Sequence, residues 1–91
     1  MSIQWLFDII EDRKKDPTEK SYTSSLFADG LPKISQKVGE EGTEVVVAAL
    51  AQDDQRLIEE VADLTYHILV LLSARGLSPA QIISELRKRH L

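Results

Sequence analysis

The chain has 91 residues, a formal net charge of −4 and no cysteine. The missing thiols exclude disulfides, thiolate metal sites and cysteine nucleophiles, and an acidic balance spread along the chain argues against nucleic acid or an anionic membrane as partner. A single domain this small, spanning 1–91, buries only roughly 60–65% of its unfolded surface, so a homodimer is the expected state.

Ile3, Leu6, Phe7 and Ile10 recur at helical spacing after a Ser2 cap, and this first helix fades through Arg13, Lys14 and Lys15 into Asp16-Pro17. Asp8, Glu11 and Asp12 stand where a secretion signal would be positive and then apolar. The longest apolar runs, 45–51 and 68–72, fall far short of the ~20 residues of a membrane span, so the expected setting is the cytoplasm. Residues 18–25 are polar and read as a loop or short helix. Gly30 breaks the chain, and Pro32 suits the first turn of a second long helix running to about Ala51. Asp53 and Asp54 cap and charge the next, which ends at Gly76. Ser78-Pro79-Ala80-Gln81 is a capping box opening a last helix with Ile82, Ile83 and Leu86 on it and Arg87, Lys88, Arg89 and His90 at its end. The pattern predicts an all-α bundle built on a central antiparallel helix hairpin and completed by dimerisation.

Four acids are placed symmetrically on that hairpin: Glu41 and Glu44 before Gln52, Glu60 and Asp63 after it. A fold-back there sets Glu44 opposite Glu60 and Glu41 opposite Asp63, and each i, i+3 pair shares a helix face. At 100° per residue from Ile34, the residues Ile34, Val38, Val45 and Ala49 form a stripe from 0° to about 60°, with Glu41 at about −20°. On the following helix Leu57, Leu64 and Leu71 define the stripe; Glu60 lies within it, His67 beside it and Asp63 on its flank. A buried carboxylate without a partner costs several kcal/mol, and no Lys or Arg falls on these stripes. A divalent cation is the economical partner, and an all-carboxylate site selects hard ions, Mg²⁺ with Mn²⁺ as a substitute. A solvated face would be the ordinary reading of any one of these acids, but it would not put two of them amid aliphatic stripes. Glu40 and Glu59 fall on the rims, with Glu40 close enough to act as a base.

The stretch Lys37-Val38-Gly39-Glu40-Glu41-Gly42-Thr43-Glu44, followed by Glu60-Val61-Ala62-Asp63-Leu64-Thr65-Tyr66-His67, resembles the E-E-x-x-E and E-x-x-D pattern of the all-α, MazG-type nucleotide pyrophosphohydrolases. Within them Ser21-Tyr22-Thr23, Leu26-Phe27, Gly30, Lys33 and the Tyr66-His67 string are similar to the phosphoribosyl-ATP pyrophosphatases of histidine biosynthesis, over essentially the whole chain. The resemblance implies Mg²⁺-dependent hydrolysis of phosphoribosyl-ATP to phosphoribosyl-AMP and pyrophosphate by a helical-bundle dimer acting on a small nucleotide. It makes Glu41, Glu44, Glu60 and Asp63 the metal ligands. Without the cyclohydrolase fused to some members, the reaction is expected to stop at the AMP derivative. Gly42 stands where the family usually has Ala; a close approach by another helix or backbone would be the use of a glycine there.

Cleaving an α–β phosphoanhydride needs neutralised phosphates and an oriented water, with no side-chain nucleophile, and the catalytic base is expected to be Glu40 or Glu44. Lys33 and Lys37 share the flank of Glu44 and would meet phosphates, or else pair with Glu41 and Glu44 along the helix. Ser21, Tyr22 and Thr23 are expected at the substrate through the resemblance alone. His67 lies one turn beyond Asp63, where it would either donate to that carboxylate or serve as a satisfied core residue. The rival functions are a housekeeping nucleoside triphosphate pyrophosphohydrolase and a non-catalytic dimerisation module.

Overall fold

A computed structural model describes residues 2–91, and they form five helices in the order α1 (Ile3–Lys15), α2 (Tyr22–Asp29), α3 (Leu31–Ala51), α4 (Asp54–Ala74) and α5 (Pro79–His90). The caps follow the sequence signals. Ser2 accepts from the Trp5 amide, Asp53 accepts from the Arg56 amide, and Ser78 with Gln81 forms the capping box of α5. The polar 18–25 stretch resolves into a loop and a short helix, because Ser21 caps α2 by accepting from the Ser24 amide. Gly30, at φ 90°, ends α2 and starts α3, a conformation that only glycine adopts without strain.

The long helices α3 and α4 turn back at Gln52 and Asp53 and form the hairpin on which the remaining helices pack. Phe7 and Ile10 from α1, Leu26 from α2, Ile34 from α3 and Leu69, Val70 and Leu72 from α4 make the core. It lies at the open end of the hairpin, away from the Gln52 turn. Toward the turn α3 and α4 have only each other, and Val46, Val47, Leu50, Ile58 and Val61 remain exposed.

The inward line of α3 differs slightly from the one read off the sequence. Ala48 is buried and Ala49 exposed, so the line runs Ile34, Glu41, Ala48, a strict seven-residue step that turns Glu41 further toward α4. On α4 the facing line is Glu60, His67 and Ala74 rather than the leucines, and Glu60 and His67 are only 6% and 5% exposed. No helix among the described residues is long and apolar enough to cross a membrane.

Candidate active site

Glu41 on α3 and Glu60 and Asp63 on α4 each offer a carboxylate oxygen, and the three oxygens lie within 4.8 Å of one another. Glu60 is buried, Glu41 half-buried and Asp63 exposed, so the group opens from the hairpin interior toward solvent. Its donors are all hard oxygens, the set that suits a Mg²⁺-like ion leaving coordination positions open to water and phosphate.

Glu44 is exposed and lies outside this trio. The mirror pairing expected from the turn is therefore not formed as drawn: Glu41 meets both Glu60 and Asp63. The cause is helical geometry, since three residues turn Glu44 about 60° away from the inward direction of Glu41. Glu40 is also exposed; it accepts from Gln36 Nε2 at 2.8 Å and lies 3.5 Å from Lys37 Nζ. The Gln36 bond, with Lys37 and the field of Lys33, outweighs the opposing effect of desolvation and holds the Glu40 carboxyl below its ordinary value.

No base lies on the inward stripes, yet two reach the inward acids from their flanks: the Lys37–Glu41 pairing is the helical alternative the spacing offered, and the Arg56–Glu60 contact is new. Arg56 Nη2 donates to Glu60 Oε1 at 2.6 Å, and its Nη1 pairs with Glu59. Lys37 Nζ lies 3.5 Å from Glu41 Oε1, equally far from Glu40. Both bases sit off the apolar stripes and reach over from one turn away, which a helical wheel of Cα directions does not register. Arg56 is the functional neighbour that the sequence reading missed, although its i, i+4 spacing to Glu60 was the available signal. Desolvation pulls the Lys37 ammonium down, but Tyr22, Glu40 and Glu41 outweigh it and hold it above the ordinary lysine value. Lys33 is exposed at the start of α3.

The Ser21-Tyr22-Thr23 segment approaches α4 just beyond the trio. Ser21 is committed to its cap and Thr23 is buried against the Tyr66 hydroxyl, whereas Tyr22 is half exposed and its hydroxyl lies 2.9 Å from His67 Nε2. His67 bonds through Nδ1 to the main-chain carbonyl of Asp63 at 2.7 Å. It is thus a satisfied buried histidine, and the carboxylate contact considered from sequence is replaced by one to the carbonyl. Desolvation, with Tyr22 nearby, pushes the Tyr66 phenol above its ordinary value.

Residues 4–90 match the family model described as phosphoribosyl-ATP pyrophosphohydrolase. The chain is 54% identical over 88 residues to the phosphoribosyl-ATP pyrophosphatase of Lacticaseibacillus casei, covering 97% of this chain and 80% of that one. It is 45% identical to the enzyme of that name from Pyrobaculum calidifontis, over 96% of this chain and 93% of the other. Against the histidine biosynthesis bifunctional protein HisIE of Escherichia coli the identity is 47%, over 96% of this chain but 45% of that longer protein. A five-helix fold with its acids on the central hairpin is thereby joined to a matching family model over nearly its whole length, and the chain belongs to the phosphoribosyl-ATP pyrophosphohydrolase family.

Proposed function

We propose that the chain, working as one domain in the cytoplasm, hydrolyses the α–β phosphoanhydride of phosphoribosyl-ATP to phosphoribosyl-AMP and pyrophosphate. The observation that carries this reading is the meeting of Glu41, Glu60 and Asp63 on the hairpin of a chain in this family. Those three carboxylates, with Glu44 one turn along α3, would hold Mg²⁺, or Mn²⁺ in its place. The ion supplies charge neutralisation on the phosphates and a water of lowered pKa.

The protein's own groups do the rest. Glu44 or Glu40 takes the proton of the attacking water. The Gln36 bond and Lys37 hold the Glu40 carboxyl below its ordinary value, which weakens it as a base, and Glu44 is exposed one turn along α3 from the trio. Lys37, kept charged by its acidic neighbours, meets phosphate oxygens beside the trio, and Lys33 extends the same cationic flank. Tyr22 contributes to the nucleotide subsite, with Ser21 and Thr23 building the turn that presents it.

We infer further that two copies pair. Leu50 is 84% and Ile58 62% exposed at the turn end of the hairpin, and Val46, Val47 and Val61 extend that surface. A second copy covering it would remove a patch unusual for a small monomer. Sedimentation at micromolar concentration should give twice the chain mass, and Leu50→Glu with Ile58→Glu should return it to the monomer.

Product analysis with phosphoribosyl-ATP, with and without Mg²⁺, tests the activity. The expected result is pyrophosphate and phosphoribosyl-AMP only with the metal present. Efficient turnover of ordinary nucleoside triphosphates instead would favour the housekeeping reading, and no cation binding with no pyrophosphate release would favour the dimerisation module.

A further inference from the structure

The Tyr22 hydroxyl has one proton, and the two partners of His67 assign where it goes. His67 Nδ1 lies 2.7 Å from the Asp63 carbonyl oxygen, and a carbonyl can only accept, so Nδ1 carries the imidazole proton. With the imidazole proton on Nδ1, Nε2 is left to accept, and the Tyr22 hydroxyl 2.9 Å away is its donor. The ring cannot easily swing to exchange these roles. It is 5% exposed and set edge-on to both Tyr22 and Tyr66, at centroid distances of 5.8 Å and 5.2 Å, and Tyr66 is itself tied to Thr23.

With its proton committed to His67, the phenol oxygen has only acceptor capacity left to offer. A phosphate oxygen brings no proton and would be repelled there, whereas a sugar hydroxyl would donate. The order of groups along the site fits this chemistry. The trio of acids comes first, with Lys37 3.5 Å from Glu41 beside it, and Tyr22, half exposed, follows through His67, which bonds the Asp63 carbonyl on one side and the Tyr22 hydroxyl on the other. A nucleotide with its phosphates at the acids and Lys37 has its triphosphate-bearing ribose as the next group along.

We propose that Tyr22 accepts a hydrogen bond from a hydroxyl of that ribose, and that His67 is the positioning residue that takes up the phenol proton, so that the oxygen meets the ligand as an acceptor only. The inference rests on the reading of the chain as a phosphoribosyl-ATP pyrophosphohydrolase. Wild type inactive on phosphoribosyl-ATP would defeat that reading, whereas an active wild type with the outcomes below reversed would defeat only this inference.

Steady-state kinetics on phosphoribosyl-ATP should show Tyr22→Phe raising KM about tenfold with kcat nearly unchanged. His67→Leu frees the phenol proton and the hydroxyl's orientation and should raise KM by less than Tyr22→Phe, and adding it to Tyr22→Phe should raise KM no further, because it acts only through that hydroxyl. His67→Gln, whose amide oxygen can accept from the phenol, should recover much of the loss. Analogues lacking the 2′- or the 3′-hydroxyl on that ribose supply the direct arm: wild type should discriminate against one of them, and Tyr22→Phe should not. An unchanged KM in Tyr22→Phe, additive losses in the double variant, or full discrimination retained by Tyr22→Phe would each overturn the proposal. Tyr22→Phe keeps the ring and its packing, so the test stands even where His67→Leu fails to fold.

Discussion

Toward each end of α4, acid meets base against a neighbouring helix, and the two outcomes differ. Near the C-terminal end the fully buried Ser73 donates to Glu11 Oε2 at 2.9 Å, and Lys14 Nζ reaches both that oxygen, at 3.0 Å, and the Ser73 carbonyl, at 2.7 Å. Desolvation pushes the Glu11 carboxyl up, but its bonds to Lys14 and Ser73 and the field of Lys14 and Lys15 outweigh it and hold it below the ordinary value. Acid, base and hydroxyl close on one another. Toward the N-terminal end three carboxylates share one spot while each base is divided between two acids, Lys37 between Glu40 and Glu41 and Arg56 between Glu59 and Glu60. Among the described residues no base is paired with Asp63. A network completed by the protein's own groups fastens α1 to α4; a network left with surplus acid is set up to take a cation.

The sharpest way to break the contrast is to remove one surplus charge. Glu41→Gln or Asp63→Asn should cut pyrophosphate release on the order of 10³-fold. In metal-free buffer the melting temperature should hold or rise, because repulsion among the acids is relieved. Loss of helical circular dichroism in either variant would mean that the acids support the fold after all.

The same kind of change at the other end should do the reverse. Glu11→Ala should leave turnover unchanged and cost about 1 kcal/mol of stability, a figure kept small because the pair is partly solvated. The pH dependence has a definite sign. Folding lowers the Glu11 pKa, so its contribution is present above the ordinary carboxylate value and fades as pH falls through the lower folded one. Urea midpoints of wild type and Glu11→Ala should differ at pH 7 and converge in strong acid.

Arg56 tests the contrast from within the site. Its guanidinium bonds one of the two Glu60 carboxylate oxygens and so competes with a cation for that group; Arg56→Ala should tighten Mg²⁺ or Mn²⁺ binding about two- to five-fold by titration calorimetry of the folded protein. Weaker binding would mean that Arg56 holds Glu60 in its ligating position.

These tests also mark how far the chain could be read unaided. Helix ends were legible because Ser2, Gly30, Asp53 and the Ser78 capping box act locally, and the hairpin followed from the two long periodic stretches on either side of Gln52. Glu41 and Glu60 were legible because an acid on an apolar stripe must point at the facing helix, and Asp63 because it shares a face with Glu60 at i, i+3. What escaped depends on side-chain length and on contacts distant in sequence. Arg56 reaches Glu60 across a helical turn, and the Tyr22–His67 bond joins residues on helices whose packing no local pattern encodes. Glu44 was placed by the symmetry of the spacing, which fixes height along the hairpin and leaves rotation about α3 unspecified.

Gly42 supplies the smallest effect and a separate view of the same hairpin. A close approach was expected to explain it, yet a Cβ built there meets no atom within 4 Å in the single chain, and its backbone is ordinary helix. Nothing within this chain requires a glycine at that position. Gly42→Ala should then stabilise an isolated chain by roughly 0.5 kcal/mol, since alanine loses less backbone freedom on forming helix. The outcome is informative in either direction when melting is followed as a function of concentration. A gain at every concentration means that the space beside Gly42 stays open in the assembled protein. A gain in the monomeric Leu50→Glu, Ile58→Glu background, replaced by a loss where the chains pair, means that the second copy comes closest to α3 between Glu41 and Glu44 and that the acid site is built against the interface.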